Sequence, residues 1–330
     1  MKKIAKYLKK IEKIIKKEEI NLDKYEVYYR GESKNRTSTP GIFRSNYLEN
    51  EHNIFRELEL RYPDVFDKTK STIDKLSIMQ HYGLPTRLLD FTTNPLLALY
   101  MAIDTDDIEN SDPIIKIIFV KKEDIKYYDS DTVSVFSNFS KIKDQLNIDF
   151  TGHCVDNGEV KFFKDQPPMG RAFFKYVKWS NLNIFDKDIS DSLGKKICEG
   201  NAGLQYLLHE IKGEKPYFLN IIWPKHLNKN VVFVKPKHNS QRIINQAGLF
   251  ALFGLSEGKK EAYTLEDCEK INGFTVKSLV IYDVVNKKKK ISKKDLISRM
   301  KQSLSLLGLS NDKVYPDIEN SSDYIKKKYE

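Results

Sequence analysis

Between Gln80 and Ala102 the chain reads QHYGLPTRLLDFTTNPLLALYMA, and this segment constrains the fold more than any other. Gln80, His81, Thr86, Arg87, Asp90, Thr92, Thr93 and Asn94 stand among apolar residues that belong in a core. Polar groups brought near a core need partners, because losing water without replacing its hydrogen bonds is costly. Gly83 and Pro85 punctuate the backbone just before Thr86 and Arg87. At Asn94-Pro95 the pattern changes to a helix start, with a capping residue followed by proline at the first helical position. Leu97 to Ile103 is then expected to form a buried helix.

The surrounding pattern predicts a mixture of helices and strands. Ile4, Leu8, Ile11, Ile14 and Ile15 recur at helical spacing with Lys between them, so residues 1–20 read as one amphipathic helix. Glu26 to Arg30, EVYYR, reads as a strand that turns at Gly31. Residues 51–61 and 71–82 look helical, and Ile114 to Val120 is a buried strand. Lys126 to Asn157 is polar and has no clear period. A helix is expected around Ala202–Ile211. Strand candidates follow at Tyr217–Trp223, Val231–Val234, Gly248–Phe253 and Thr275–Tyr282. Lys293 to Leu307 closes as a helix, with Gly308 as its stop. No internal repeat or low-complexity linker forces a division, so residues 25–330 are expected to form one domain behind an N-terminal helix at 1–24.

Composition excludes several classes. With 330 residues the chain can bury a core without metals or disulfides. Cys154, Cys198 and Cys268 are far apart and form no CxxC pair, which argues against a disulfide framework or zinc ribbon. The six histidines fall at no ligand spacing, so no metal site is expected. The Lys-interrupted start lacks the apolar stretch of a signal peptide. No run approaches the roughly 18 apolar residues of a membrane span. The expected location is the cytoplasm. The net charge of +10 is concentrated: residues 1–24 carry nine Lys against four acids, and residues 287–301 carry eight Lys or Arg against Asp295. The rest of the chain is close to neutral. Such runs read first as solvated helix faces; salt-sensitive contact with a phosphate backbone is the alternative.

GxSxG, HExxH, a Walker loop and GxGxxG are all missing. The chemistry therefore falls to the Gln80–Asp90 part of the polar block. His81 carries an imidazole, the side-chain type suited to proton transfer near neutrality. Arg87 and Asp90 read either as an internal ion pair or as functional groups, and Asn94 as a helix cap.

HYGLPTRLLDFTTNPLLALYMA resembles the central signature of the FRG family, a bacterial and phage-associated family named for an aromatic-Arg-Gly motif. Tyr29-Arg30-Gly31 resembles the naming motif, and GIFR at Gly41–Arg44 the segment after it. RIINQAGLF at Arg242–Phe250 and the tail VYPDIENSSDYIK resemble later elements, so the likeness runs from about residue 27 to 327. The resemblance implies abortive infection or other defence against phage. It also implies an α+β fold whose split mixed or antiparallel sheet, flanked by helices, resembles that of ADP-ribosyltransferases. On that likeness Arg30 and Gly31 would hold the pyrophosphate or ribose of NAD, since a guanidinium pairs bidentately with phosphate. Thr86, Arg87 and Thr92 would also contact NAD. His81, Asp90 and Gln246 would form the catalytic set. One departure stands out: the family layout of transferases would place a Glu where this chain has Gln246. A glutamine can orient a ribose hydroxyl but cannot act as a base, so either a carboxylate elsewhere, such as Asp90 or Glu32, carries that role or the reaction is not standard transfer.

Three functions are consistent with these residues. The first is a toxin-like effector that binds or consumes NAD as a transferase or glycohydrolase, with a protein or nucleic acid as acceptor. The second is a metal-independent ribonuclease that sets His81 among Arg30, Arg44 and Arg87 around a scissile phosphate. The third is a non-enzymatic sensor of a phosphate-bearing ligand or a phage protein.

Overall fold

The computed structural model describes residues 1–34, 38–105, 107–108, 110–142, 153–156, 159–162, 202–219, 222, 230–238, 241–246, 248–254, 264–285 and 291–316. The fold is α+β. Its strands are β1 (Tyr25–Glu32), β2 (Leu88–Thr92), β3 (Ile114–Lys121), β4 (Ile125–Tyr127), β5 (His153–Asp156), β6 (Glu159–Phe162), β7 (Val231–Lys235), β8 (Gly248–Phe253) and β9 (Thr275–Val280). Seven of them make one mixed sheet in the order β4-β7-β8-β2-β1-β3-β9, while β5 and β6 form a separate hairpin. Within the large sheet only β4 and β7 run parallel.

The sheet is split. β1 pairs with β3 along its whole length, from Tyr25 opposite Lys121 to Glu32 opposite Ile114. β2 pairs with β8 over all of Leu88–Thr92. The two halves meet only where Tyr29 pairs with Thr92. Residues paired across strands share a face, so the register sorts every side chain. Tyr29, Leu88, Asp90, Thr92 and Phe250 lie on one face; Tyr28, Arg30, Glu32, Leu89 and Phe91 lie on the other.

Helices cover the first face in two groups. Over β2, β7 and β8 lie helices Glu51–Arg61, Thr72–His81, Asp131–Asn138 and Ala202–Glu214, whose apolar residues join Leu88, Val232, Val234 and Leu252 in one cluster. Over β1, β3 and β9 lie Lys2–Lys17, Pro95–Ile103, Ile281–Val285 and Lys293–Leu306, packed on Tyr29, Ile115, Ile117 and Leu279. The opposite face is closed by helix Leu265–Asn272, through Leu265 and Cys268 on Leu89, Phe91 and Ile118.

Two elements explain how the Gln80–Ala102 segment folds. Helix Thr72–His81 starts on Ser71, whose hydroxyl accepts from the Asp74 backbone N–H. It ends on Gly83, at φ +83°. There the Leu84 N–H donates to the Met79 carbonyl and the Gly83 N–H to the Gln80 carbonyl. That left-handed termination reverses the chain, which brings Thr86 back alongside Gln80. Helix Pro95–Ile103 starts on Asn94, whose side chain accepts from Leu96 and Leu97 N–H as expected of a cap.

Several sequence expectations are corrected. Gly31 does not turn the chain; β1 continues through it to Glu32. Tyr217, Phe218 and Leu219 are not in a strand, and most of the remainder of that candidate lies outside the described residues. The stretch from Lys126, which has no clear period, holds the end of β4, a helix at Asp131–Asn138 and the β5–β6 hairpin. The strand from Thr275 stops at Val280, and Ile281–Val285 is helical. The closing segment from residue 317 onward lies outside the described residues.

Candidate functional site

A cleft of about 310 Å³ opens where helix Thr72–His81 ends against the edge of the split. Its wall gathers Gln80 and His81 from the helix end, Tyr82 from the turn, Asp90 from β2, Phe250 from β8 and Gln246 from the end of helix Gln241–Gln246. Val65, Thr69, Ser77, Ile78 and Ile243 complete it. The three residues expected to be catalytic, His81, Asp90 and Gln246, thus share one cavity although 165 positions separate the first from the last.

Asp90 is the most firmly set of them. Its Oδ2 accepts from Gln80 Nε2 at 2.8 Å. Gln80 Oε1 in turn accepts from the Thr86 hydroxyl at 2.9 Å, and Thr86 Oγ1 accepts from the Leu88 N–H. A carboxylate only accepts, so it fixes which end of the Gln80 amide faces it, and the hydroxyl of Thr86 fixes the other end. The relay orients one carboxylate oxygen, and among the described residues nothing donates to Oδ1. The backbone of Asp90 is held too: its carbonyl accepts from Arg30 Nη1 at 3.0 Å. That contact spans the place where β1 and β2 separate, and it replaces a ladder hydrogen bond the split removes.

Gln246 is nearly buried and donates from Nε2 to the Val314 carbonyl at 3.3 Å. It lies at the end of a short helix, directly ahead of β8, and not within a late strand. His81 sits edge-to-face against Tyr82, with ring centroids 5.0 Å apart. Tyr82 is 68% exposed, which leaves its ring free to stack on a planar ligand at the cleft mouth. Among the described residues the wall carries no Lys or Arg, and Asp90 is its one carboxylate.

Other expected site residues are placed elsewhere. Arg30 leaves the opposite face of the sheet from Asp90. Its Nε donates to Glu32 Oε1 at 2.9 Å, and Glu32 also accepts from Ser38. Gly31 faces helix Pro95–Ile103: a Cβ there would stand 1.9 Å from the Ala98 carbonyl oxygen. Its lack of a side chain lets the helix lie against the strand. Thr92 is buried and its hydroxyl accepts from the Asn94 N–H, shaping the turn into the helix.

Arg87 is fully buried and does not pair with Asp90. Its guanidinium donates to both oxygens of Glu51, with Nη2 to Oε2 at 2.6 Å, and to the Gly254 carbonyl through Nη1. Phe43 and Phe139 lie over it. Burial pulls its pKa below the ordinary arginine value, and the Glu51 carboxylate opposes that pull. Glu51 was not singled out by the sequence; the only signal was an acid at the start of a helical stretch, which reads as a cap.

A larger cavity, of about 490 Å³, lies on the other side of helix Thr72–His81. Its wall is dominated by charged side chains and contains none of the sequence-identified site residues. Chemistry therefore favours the smaller cleft as the candidate active site. Among the described residues no cluster of His, Cys, Asp and Glu could hold a metal ion, and no helix is long and apolar enough to cross a membrane.

Residues 25–111 match the family model of the FRG domain. That stretch holds β1, the buried Glu51–Arg87 pair, the Gln80–Asp90 relay and helix Pro95–Ile103. No curated protein and no solved structure matches the chain.

Proposed function

We propose that this chain, which carries an FRG domain at residues 25–111, is a toxin-like effector of defence against phage that acts on NAD in the Asp90 cleft, as an ADP-ribosyltransferase or NAD glycohydrolase. The defence role rests on the family resemblance. The NAD reading is carried by one observation: a carboxylate anchored through one oxygen, with the other uncommitted, beside His81, Tyr82 and Gln246.

That arrangement suits the nucleoside end of the substrate. Asp90 Oδ1 can accept from a ribose hydroxyl. Its charge also favours the positive charge that develops on the ribose when the nicotinamide bond breaks. Tyr82 offers a stacking surface for the base, and His81 can take the proton of an attacking water or acceptor. The volume is at the low end of the roughly 300–1,000 Å³ typical of small-molecule sites. On this reading the cleft takes the nicotinamide riboside half, with the phosphates toward solvent, since no described wall residue is a cation. Arg30, engaged by Glu32 and the Asp90 carbonyl, then acts as a positioning residue for the strand that carries Asp90. The ribonuclease reading is weaker: Arg87 is buried on Glu51, Arg30 leaves the opposite face, and Arg44 donates to the Thr39 carbonyl. The three do not converge on His81.

Purified protein incubated with NAD, with and without cell extract, is expected to release nicotinamide. Asp90→Asn keeps an acceptor for Gln80 and is expected to lower the rate roughly 100-fold or more. No release under either condition, together with no thermal shift by NAD, sinks the reading.

A further inference from the structure

We propose that the groove enclosed by helices Glu51–Arg61, Thr72–His81 and Ala202–Glu214 is a second binding site, for a compact polyphosphate anion, with Lys141 as its fixed cation. The inference does not rest on the reading of the Asp90 cleft, from which the groove is separated by helix Thr72–His81.

Among the described residues, Arg56, Lys70, Lys75, Lys141 and Lys212 line the groove beside three carboxylates, Glu59, Glu210 and Glu214, and Lys212 has a further partner of its own. Each carboxylate is already engaged. Glu59 pairs with Lys75 at 2.6 Å and Glu210 with Arg56 at 3.0 Å. Glu214 accepts from both the backbone N–H and the hydroxyl of Thr72, which caps the start of the neighbouring helix. Lys141 is left short. Its side chain is 13% exposed, and the nearest carboxylate oxygen, on Glu210, is 3.8 Å away, beyond hydrogen-bond distance.

The rest of its surroundings hold the ammonium in place without satisfying it. Nζ lies 5.7 Å from the centre of the Phe55 ring. Burial pulls its pKa below the ordinary lysine value, while Glu214 and Glu210 oppose that pull. Among the described residues no acceptor comes within hydrogen-bond distance of the ammonium, whose ion pair with Glu210 is long, so a ligand that supplies one is favoured. Phosphate oxygens do so with charge-assisted hydrogen bonds. Lys70, exposed at the rim and unpaired among the described residues, can reach the outer end of such a ligand. A single phosphate would meet one cation. A chain of phosphates would meet Lys141 and the rim together, so length should matter.

Binding of tripolyphosphate and of inorganic phosphate to the full chain, measured by titration calorimetry in low salt, tests this. Tripolyphosphate is expected to bind at least tenfold more tightly than phosphate. Lys141→Met, which keeps the stem over Phe55, is expected to weaken tripolyphosphate at least tenfold. Lys70→Ala cannot disturb the core and is expected to weaken it roughly threefold, which keeps the test decisive if Lys141→Met fails to fold. Asp90→Asn is expected to leave it unchanged. Equal affinity for the two anions, unaltered binding in Lys70→Ala, or unaltered binding in a folded Lys141→Met each overturns the proposal.

Discussion

At the scale of single residues, the chain places its strongest electrostatic interaction away from its candidate chemistry. Arg87 and Glu51 are almost completely shielded, with four donations from one guanidinium to two carboxylate oxygens and one carbonyl. Removing one partner of such a pair strands a charge, at a cost of about 3–5 kcal/mol. Glu51→Leu is therefore expected to lower stability by about that amount in urea denaturation. Glu51→Leu combined with Arg87→Met removes both charges and is expected to recover part of the loss. A double variant less stable than either single one would show that the pair itself, and not charge isolation, holds this region. Cys268 makes a second residue-scale case. It is fully buried, and burial, with Asp267 and Glu266 nearby, pushes its thiol up to about 12. Its thiolate fraction at pH 8 is negligible, so alkylation of the native protein followed by peptide mapping should leave Cys268 unmodified until denaturant is added.

At the scale of elements, the aromatic-Arg-Gly motif acts as a joint. Tyr29 points into the core under helix Pro95–Ile103, Arg30 bridges to the Asp90 carbonyl, and Gly31 lets the helix touch the strand. An alanine Cβ at Gly31 would meet backbone, which cannot rotate away. Gly31→Ala is expected to cost about 3 kcal/mol or more. Gly248→Ala, whose Cβ would meet only the Phe91 carbonyl at 3.7 Å, is expected to change stability by less than about 1 kcal/mol. Similar losses from both would show that the close approach is not what Gly31 provides. The sequence revealed the elements better than the joints. Caps, strand runs and stops such as Asn94, Ile114–Val120 and Gly308 are local signals, and they sit where local physics puts them. The helix Asp131–Asn138 was not legible, because Val133 through Asn138 are all buried, polar Ser134, Ser137 and Asn138 among them, so polarity does not mark an exposed face there. Gln80, His81 and Asp90 stood out because polar residues crowd a core segment, and the fold brings them to one cleft. Their internal wiring was not legible: Arg87 and Asp90 are close in sequence, but Arg87, just ahead of β2, is turned to Glu51 and Asp90 to Gln80.

At the scale of the whole molecule, the N-terminal helix is the test of what counts as the folding unit. Its spacing of Ile and Lys is that of an amphipathic helix, and Ile4, Tyr7 and Ile11 are buried in the same cluster as Ile115, Ile117 and Leu296. Tyr7 Oη donates to the Pro95 carbonyl at 2.8 Å, at the first turn of the helix that packs on Gly31. Lys3 Nζ donates to the Val285 carbonyl and the N-terminal ammonium to Ser303. Burying three side chains of this size contributes roughly 4.5–9 kcal/mol, at about 1.5–3 kcal/mol each. That is comparable to the entire stability of a typical domain, about 5–15 kcal/mol. Residues 25–111 should therefore not behave as an independent unit, even though the family match begins at residue 25. A chain lacking residues 1–20 is expected to melt at a much lower temperature and to bind a hydrophobic dye through the uncovered cluster. The same cooperative transition at an unchanged temperature would show that the helix is an appendage. Because the helix rests on the carbonyl of Pro95, its loss should also loosen the strand-to-helix turn that follows Asp90. Any NAD-dependent activity is then expected to fall along with stability.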